Sequence, residues 1–172
     1  MSLIQSARPL AAWRWLGLPA LYCIWATILF AVPIQILGLR LPEPVFPLVL
    51  SFAWAVIRPS ILAPFALLAI GLFLDLFWGG PAGLWAVSLL APYAVVLSAR
   101  SIMSGQSNLA RLAWYIGATG LAFGVGYLLT AVDSLAFPSP MAVFWQFLAT
   151  ALLYPVARGL IERFEDADVR FR

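Results

Sequence analysis

Long apolar runs, interrupted only by short segments rich in arginine, proline and glycine, decide what this chain can become. A helix that crosses a bilayer needs about 20 residues. Runs of that order lie at Leu16–Leu37, Ile61–Trp78, Ala82–Ala99, Leu112–Val132 and Met141–Ala157, with a shorter one at Val45–Ile57. Hydrophobic residues make up 64% of the chain and charged residues 10%. A soluble domain carries roughly 45–50% and about 25% respectively. There is too little polar surface here to coat a water-soluble globule, so an integral membrane protein is implied.

Six helices of about 20 residues would use about 120 of the 172 positions and leave no room for a separate soluble domain. One membrane domain over residues 1–172 is therefore expected. It comprises an interfacial N-terminus (1–15), a transmembrane bundle (16–157) and a cytoplasmic tail (158–172). The fold class expected is an all-α polytopic bundle of about six transmembrane helices. Leu16–Leu37, at 22 residues, exceeds the about 7–15 residues of a signal-peptide core and is read as a retained span. Val45–Ile57 is the doubtful segment. Its 13 residues span only about 20 Å as a helix, against a hydrocarbon core of about 30 Å. Pro42, Pro44 and Pro47 favour an extended entry into it. It is either a short helix with an extended leader or a re-entrant segment, and non-helical backbone at that depth has to be shielded by protein.

All ten basic residues are arginine, there is no histidine, and Cys23 is the only cysteine. An intrachain disulfide, a His/Cys metal site, a histidine-based triad, a P-loop and Schiff-base lysine chemistry are all excluded. Cys23 in its apolar run reads as a buried, inert thiol. The arginines serve better as topology markers than as a nucleic-acid surface. With six spans and both ends inside, nine fall on the cytoplasmic side and only Arg40 outside, as the positive-inside rule requires. Five spans with the N-terminus outside would give eight to two. Arg8 and Arg14, ahead of the first span, favour six. Trp78 and Trp85 flank the outer turn and Trp114 and Tyr115 open the fifth span on the inner side, as interfacial aromatics do.

Three features could carry recognition. The first is the segment from Gly71 through Asp75 to Gly79, Gly80 and Gly83. Gly71 and Asp75 share a helix face, and an intramembrane carboxylate normally faces protein or water rather than lipid. It is either a docking or conformational site, or a carboxylate that reaches headgroup water or bonds N–H groups of the 79–83 turn. An Arg40–Asp75 ion pair is a further possibility, because Arg40 is the only basic residue expected on that side. The second feature is the fifth span, where Ala113, Gly117, Gly120, Gly124 and Ala131 fall in one narrow arc. Small residues allow close helix approach in lipid, and internal packing is the favoured use, with a seam for a partner's helix as the alternative. The third is the tail, where Ile161, Phe164 and Phe171 could share a face amid mixed charges. It reads as a solvated extension, or otherwise as a cytoplasmic partner contact. The intramembrane polar residues form no paired-carboxylate, nucleophile–base or metal constellation, so no enzyme activity and no cofactor are expected.

The short proline-led segment ending in Arg58-Pro59, then GLFLDLFWGGPAGLWAVSLLAPY (71–93) and the closing LLYPVARGLIERF (152–164), resemble the bacterial rod shape-determining MreD family. The resemblance covers about residues 20–165 and rests chiefly on Gly71-x-x-x-Asp75-Leu followed by Gly79 and Gly83. It implies a non-enzymatic inner-membrane partner of the bitopic protein MreC, within an elongation complex that includes MreB, RodA and a transpeptidase. It also implies a fold similar to the six-helix S components of vitamin transporters. A small-molecule-binding, S-component-like transporter subunit is therefore the alternative function. The mixed-charge tail departs from the more basic end of many family members.

Overall fold

The computed structural model describes residues 13–31, 35–36, 39–40, 42–103 and 105–169, without the side chains of 35–36, 39–40 and 165–169. Arg8 and Phe171 lie outside the described residues, as does the side chain of Arg40.

A π-helical turn, Trp13–Gly17, leads into α1, Leu18–Phe30. Two two-residue strands, β1 (Gln35–Ile36) and β2 (Leu39–Arg40), pair antiparallel in the connection that follows. Then come α2 (Pro47–Ile57), α3 (Leu62–Trp78), α4 (Leu84–Met103), α5 (Asn108–Ser134), α6 (Pro140–Ala151) and α7 (Tyr154–Val169). Only Leu152 and Leu153 separate α6 from α7, so these two form a single helical segment through Phe164. The result is an all-α polytopic membrane fold, with six helical segments among the described residues. Four of them, Trp13–Phe30, Leu84–Met103, Asn108–Ser134 and Pro140–Phe164, are long and apolar enough to cross a bilayer.

The expected weak segment is indeed the short one. Helix α2 has 11 residues, about 16 Å of rise, and it cannot span alone. It sits at the centre of the bundle instead. Every residue from Pro47 to Ala55 is buried, with α4, α7, α1 and α3 packed around it. Its backbone is protected at both ends. The N–H of Val45, in the extended leader, donates to Thr150 Oγ1 at 3.0 Å. At the other end, Arg100 from α4 donates through Nε to the Val56 carbonyl at 3.0 Å and through Nη2 to the Ile57 carbonyl at 3.3 Å. Helix ends leave such groups orphaned, and in lipid each needs a partner inside the protein.

The same bonds fix the directions of the helices. Ser51 donates to the Leu89 carbonyl and Arg100 reaches Val56, so α2 and α4 run parallel. Trp54 Nε1 donates to the Trp15 carbonyl, while the Cys23 thiol donates to the Phe46 carbonyl, so α1 runs antiparallel to α2. Tyr154 Oη donates to the Asn108 carbonyl and ties the α6–α7 junction to the start of α5. Trp15, Arg58 and Arg100 therefore gather at one end of the bundle, and the Gly79–Gly83 turn lies at the other.

Two boundaries differ from the sequence expectation. The polar stretch 100–111, which lies between the apolar runs Ala82–Ala99 and Leu112–Val132 and reads from the sequence as a loop, is mostly helical: α4 continues to Met103 and α5 begins at Asn108, where the Ser107 hydroxyl accepts the Ala110 N–H. Polar residues there lie along helix ends rather than in a loop. The tail was expected to leave the bundle at residue 158, but α7 packs against α2 with Ala157 and Ile161 buried. The first turns of this segment belong to the core.

Candidate functional site

Asp75 lies one turn before the end of α3 and is 3% exposed. Its Oδ2 accepts the Gly83 N–H at 2.7 Å and its Oδ1 accepts the Trp85 N–H at 2.8 Å. These amides, one just ahead of α4 and one in its first turn, have no carbonyl partner within that helix. A carboxylate is well placed there, because the helix N-terminus carries partial positive charge. The Asp75 carbonyl also accepts the N–H groups of Gly79 and Gly80 at the end of α3. One residue thus closes both ends of the turn. Gly79 and Gly83 take positive φ, +66° and +94°, which glycine adopts without penalty. Gly80 has open space around it and an ordinary φ.

Gly71, one turn before Asp75, is buried directly against α4. A Cβ there would overlap the backbone of Ala86 and Trp85. Gly71, Asp75, Gly79 and Gly83 are therefore brought together, as parts of an internal α3–α4 clamp. Of the readings open for Asp75, bonding to N–H groups at the 79–83 turn is the one the geometry contains. Both carboxylate oxygens already hold backbone partners, and the Arg40 side chain of the suggested ion pair lies outside the described residues. The rings of Trp78 and Trp85 meet at a 58° tilt with centroids 4.9 Å apart, and Trp85 meets Phe123 of α5 edge-on at 6.4 Å.

The glycine arc of α5 behaves differently. Internal packing, the favoured expectation for Gly117, Gly120 and Gly124, does not hold. All three are exposed; a Cβ at Gly117 or Gly124 would meet nothing within 4 Å, and one at Gly120 only Phe147, at 3.8 Å. The internal seam of α5 runs instead through Tyr115, Ala118, Thr119, Ala122 and Phe123, which are buried. The arc forms a shallow ridge of small residues between two grooves. One, of about 410 Å³, runs along α4 and α5 past Val95, Ala113 and Gly117. The other, of about 290 Å³, lies between Gly120 of α5 and Phe144 and Phe147 of α6.

The intramembrane threonines bond back onto their own helices. Thr27, Thr119, Thr130 and Thr150 each donate to a carbonyl one turn back, and Tyr115 Oη donates to the Thr150 carbonyl at 2.9 Å. Ser88 Oγ is buried without a hydrogen-bond partner and faces Gly126. Among the described residues, no group of three or more Cys, Asp or Glu side chains gathers in metal-binding geometry. Asp133 is exposed in the last turn of α5. Two residues that hold the architecture escaped sequence reasoning. From the sequence, Arg100 reads only as one of the topology-setting arginines and Thr150 only as one intramembrane polar residue among several. The available signal was a short helix ending at Arg58-Pro59, whose carbonyls needed a donor from elsewhere.

No family model, no curated protein and no solved structure matches this chain.

Proposed function

We propose that this protein is a non-enzymatic scaffold of the bacterial inner membrane that binds a bitopic, MreC-like partner and helps direct peptidoglycan synthesis along the cell, in a complex with MreB, RodA and a transpeptidase. The observation that carries the reading is the exposed Gly117, Gly120 and Gly124 ridge on α5, which among the described residues only Phe147 approaches, at Gly120. Small residues on a lipid-facing helix permit backbone-to-backbone approach by another helix, which in lipid substitutes for the missing hydrophobic drive. The Gly71–Asp75 signature supports the reading in a second way. It holds α3 and α4 in fixed register, as a platform for placement requires, and leaves recognition to other surfaces. The arginine-bearing end of the bundle is assigned to the cytoplasm by the positive-inside rule, with both termini on that side.

The test is co-purification in mild detergent with mass spectrometry. An MreC-like protein should be recovered with the wild type and lost with Gly124→Ile, while the variant remains folded by gel filtration. Recovery of an ATPase module instead would overturn the scaffold role in favour of a transporter subunit. Reporter fusions at residues 1 and 172 check the cytoplasmic placement of both ends.

A further inference from the structure

Among the described carboxylates, Glu43 is the one the fold does not explain. Asp75 is closed by two amides, Glu162 pairs with Arg158, and Asp133 is exposed at a helix end. Glu43 is half-buried in the extended leader between Pro42 and Pro44, and no described group hydrogen-bonds or ion-pairs with it. It lines a crevice of about 340 Å³ whose other walls include Phe30 at the end of α1, Trp145 and Leu148 on α6, and Leu152 just past the end of α6. Those four side chains are also exposed, so the crevice opens on the apolar flank of the bundle. The leader cannot easily withdraw. Two prolines fix its φ angles, and the Val45 N–H is tied to Thr150.

A lone carboxylate beside apolar walls is costly unless a positive charge meets it. Aromatic faces such as those of Trp145 and Phe30 attract cations as well. Volumes from about 300 Å³ upward accommodate small ligands. We propose that this crevice binds a lipophilic cation, an apolar body bearing one positive charge, with the charge at Glu43 and the body along Phe30, Trp145 and Leu148. A free amphiphile and the ammonium of an aminophospholipid headgroup share this chemistry.

The test is equilibrium dialysis of tetraphenylphosphonium against the full-length protein in neutral detergent. The expected result is one saturable site per chain. Glu43→Gln weakens it at least about tenfold, Glu43→Asp retains most of it, and Trp145→Ala weakens it independently from the surface of α6. Triphenylphosphine oxide, neutral and similar in shape, does not compete. Added phosphatidylethanolamine displaces the probe if the headgroup is the source and leaves it bound if a free amphiphile is. Either result supports the site. Unchanged affinity in Glu43→Gln, as when Arg40 already neutralises that carboxylate, overturns it, and so does uptake that never saturates.

Discussion

Asp75 of α3 holds the backbone N–H of Trp85 in α4 at 2.8 Å, and its second oxygen holds that of Gly83 at 2.7 Å. A buried carboxylate that takes two amides at a helix start gains charge-assisted hydrogen bonds and a favourable dipole contact. Asp75→Asn keeps one acceptor and turns an NH₂ toward an N–H. The expected loss is about 2–4 kcal/mol, since hydrogen bonds to charged groups contribute about 1.5–3 kcal/mol each. Thermal unfolding in detergent, followed by tryptophan fluorescence, measures it. An unchanged melting temperature combined with loss of the partner would move Asp75 from architecture to docking.

Gly71 and Gly80 belong to the same signature but should respond differently to alanine. At Gly71 the new methyl meets the backbone of Ala86, which cannot rotate away, and α3 must separate from α4. Overpacking of this kind costs about 1–3 kcal/mol, and it outweighs the about 1 kcal/mol that alanine gains over glycine inside a helix. At Gly80 the methyl enters open space at an ordinary φ, so Gly80→Ala should stay within about 0.5 kcal/mol of wild type. Parallel melts of the two variants decide the point, and equal effects would refute the close α3–α4 contact.

Arg100 holds the last carbonyls of α2. Arg100→Met keeps the apolar stem and removes both donors, leaving Val56 and Ile57 without them. About 1.5–3 kcal/mol of stability should be lost. Amide hydrogen exchange in α2 should accelerate more than in α5, because the damage starts at the end of α2. Arg100→Lys should recover only part of the loss, since an ammonium lacks the planar fork that reaches two carbonyls at once.

The helical segments were legible because their lengths and proline or glycine ends leave few alternatives. The weakness of Val45–Ile57 was legible from its length alone. The direction in which α5 presents its faces was not. In a soluble helix the apolar stripe marks the inside, but in a membrane both inside and outside are apolar, so the shared arc of Gly117, Gly120 and Gly124 fixed a face without saying where it points. Asp75 was readable as a residue needing partners, and the candidate amides lay within the 79–83 turn. Trp85 as the second donor needed the Gly71 contact that draws α4 close. The polar stretch at 100–111 reads as a loop by composition, yet its arginines sit in the last turn of α4 and the first turn of α5, and the Ser107 cap marks the start of α5.

The ridge on α5 gives the sharpest separation between folding and recognition. Gly117→Ile and Gly124→Ile place a branched side chain where a Cβ meets nothing within 4 Å. Isoleucine is also the better helix former by a few tenths of a kcal/mol. Each variant should therefore express, elute as a single species and melt within about 2–4 °C of wild type, the shift about 1 kcal/mol produces in a chain of this size. Co-purification of the bitopic partner should fall at least about tenfold, because the branched side chain holds the approaching helix away from the α5 backbone. Ala118→Ile, on the buried face of the same helix, is the control and should destabilise the protein itself. Partner recovery that survives both ridge substitutions would place the docking surface elsewhere on the bundle.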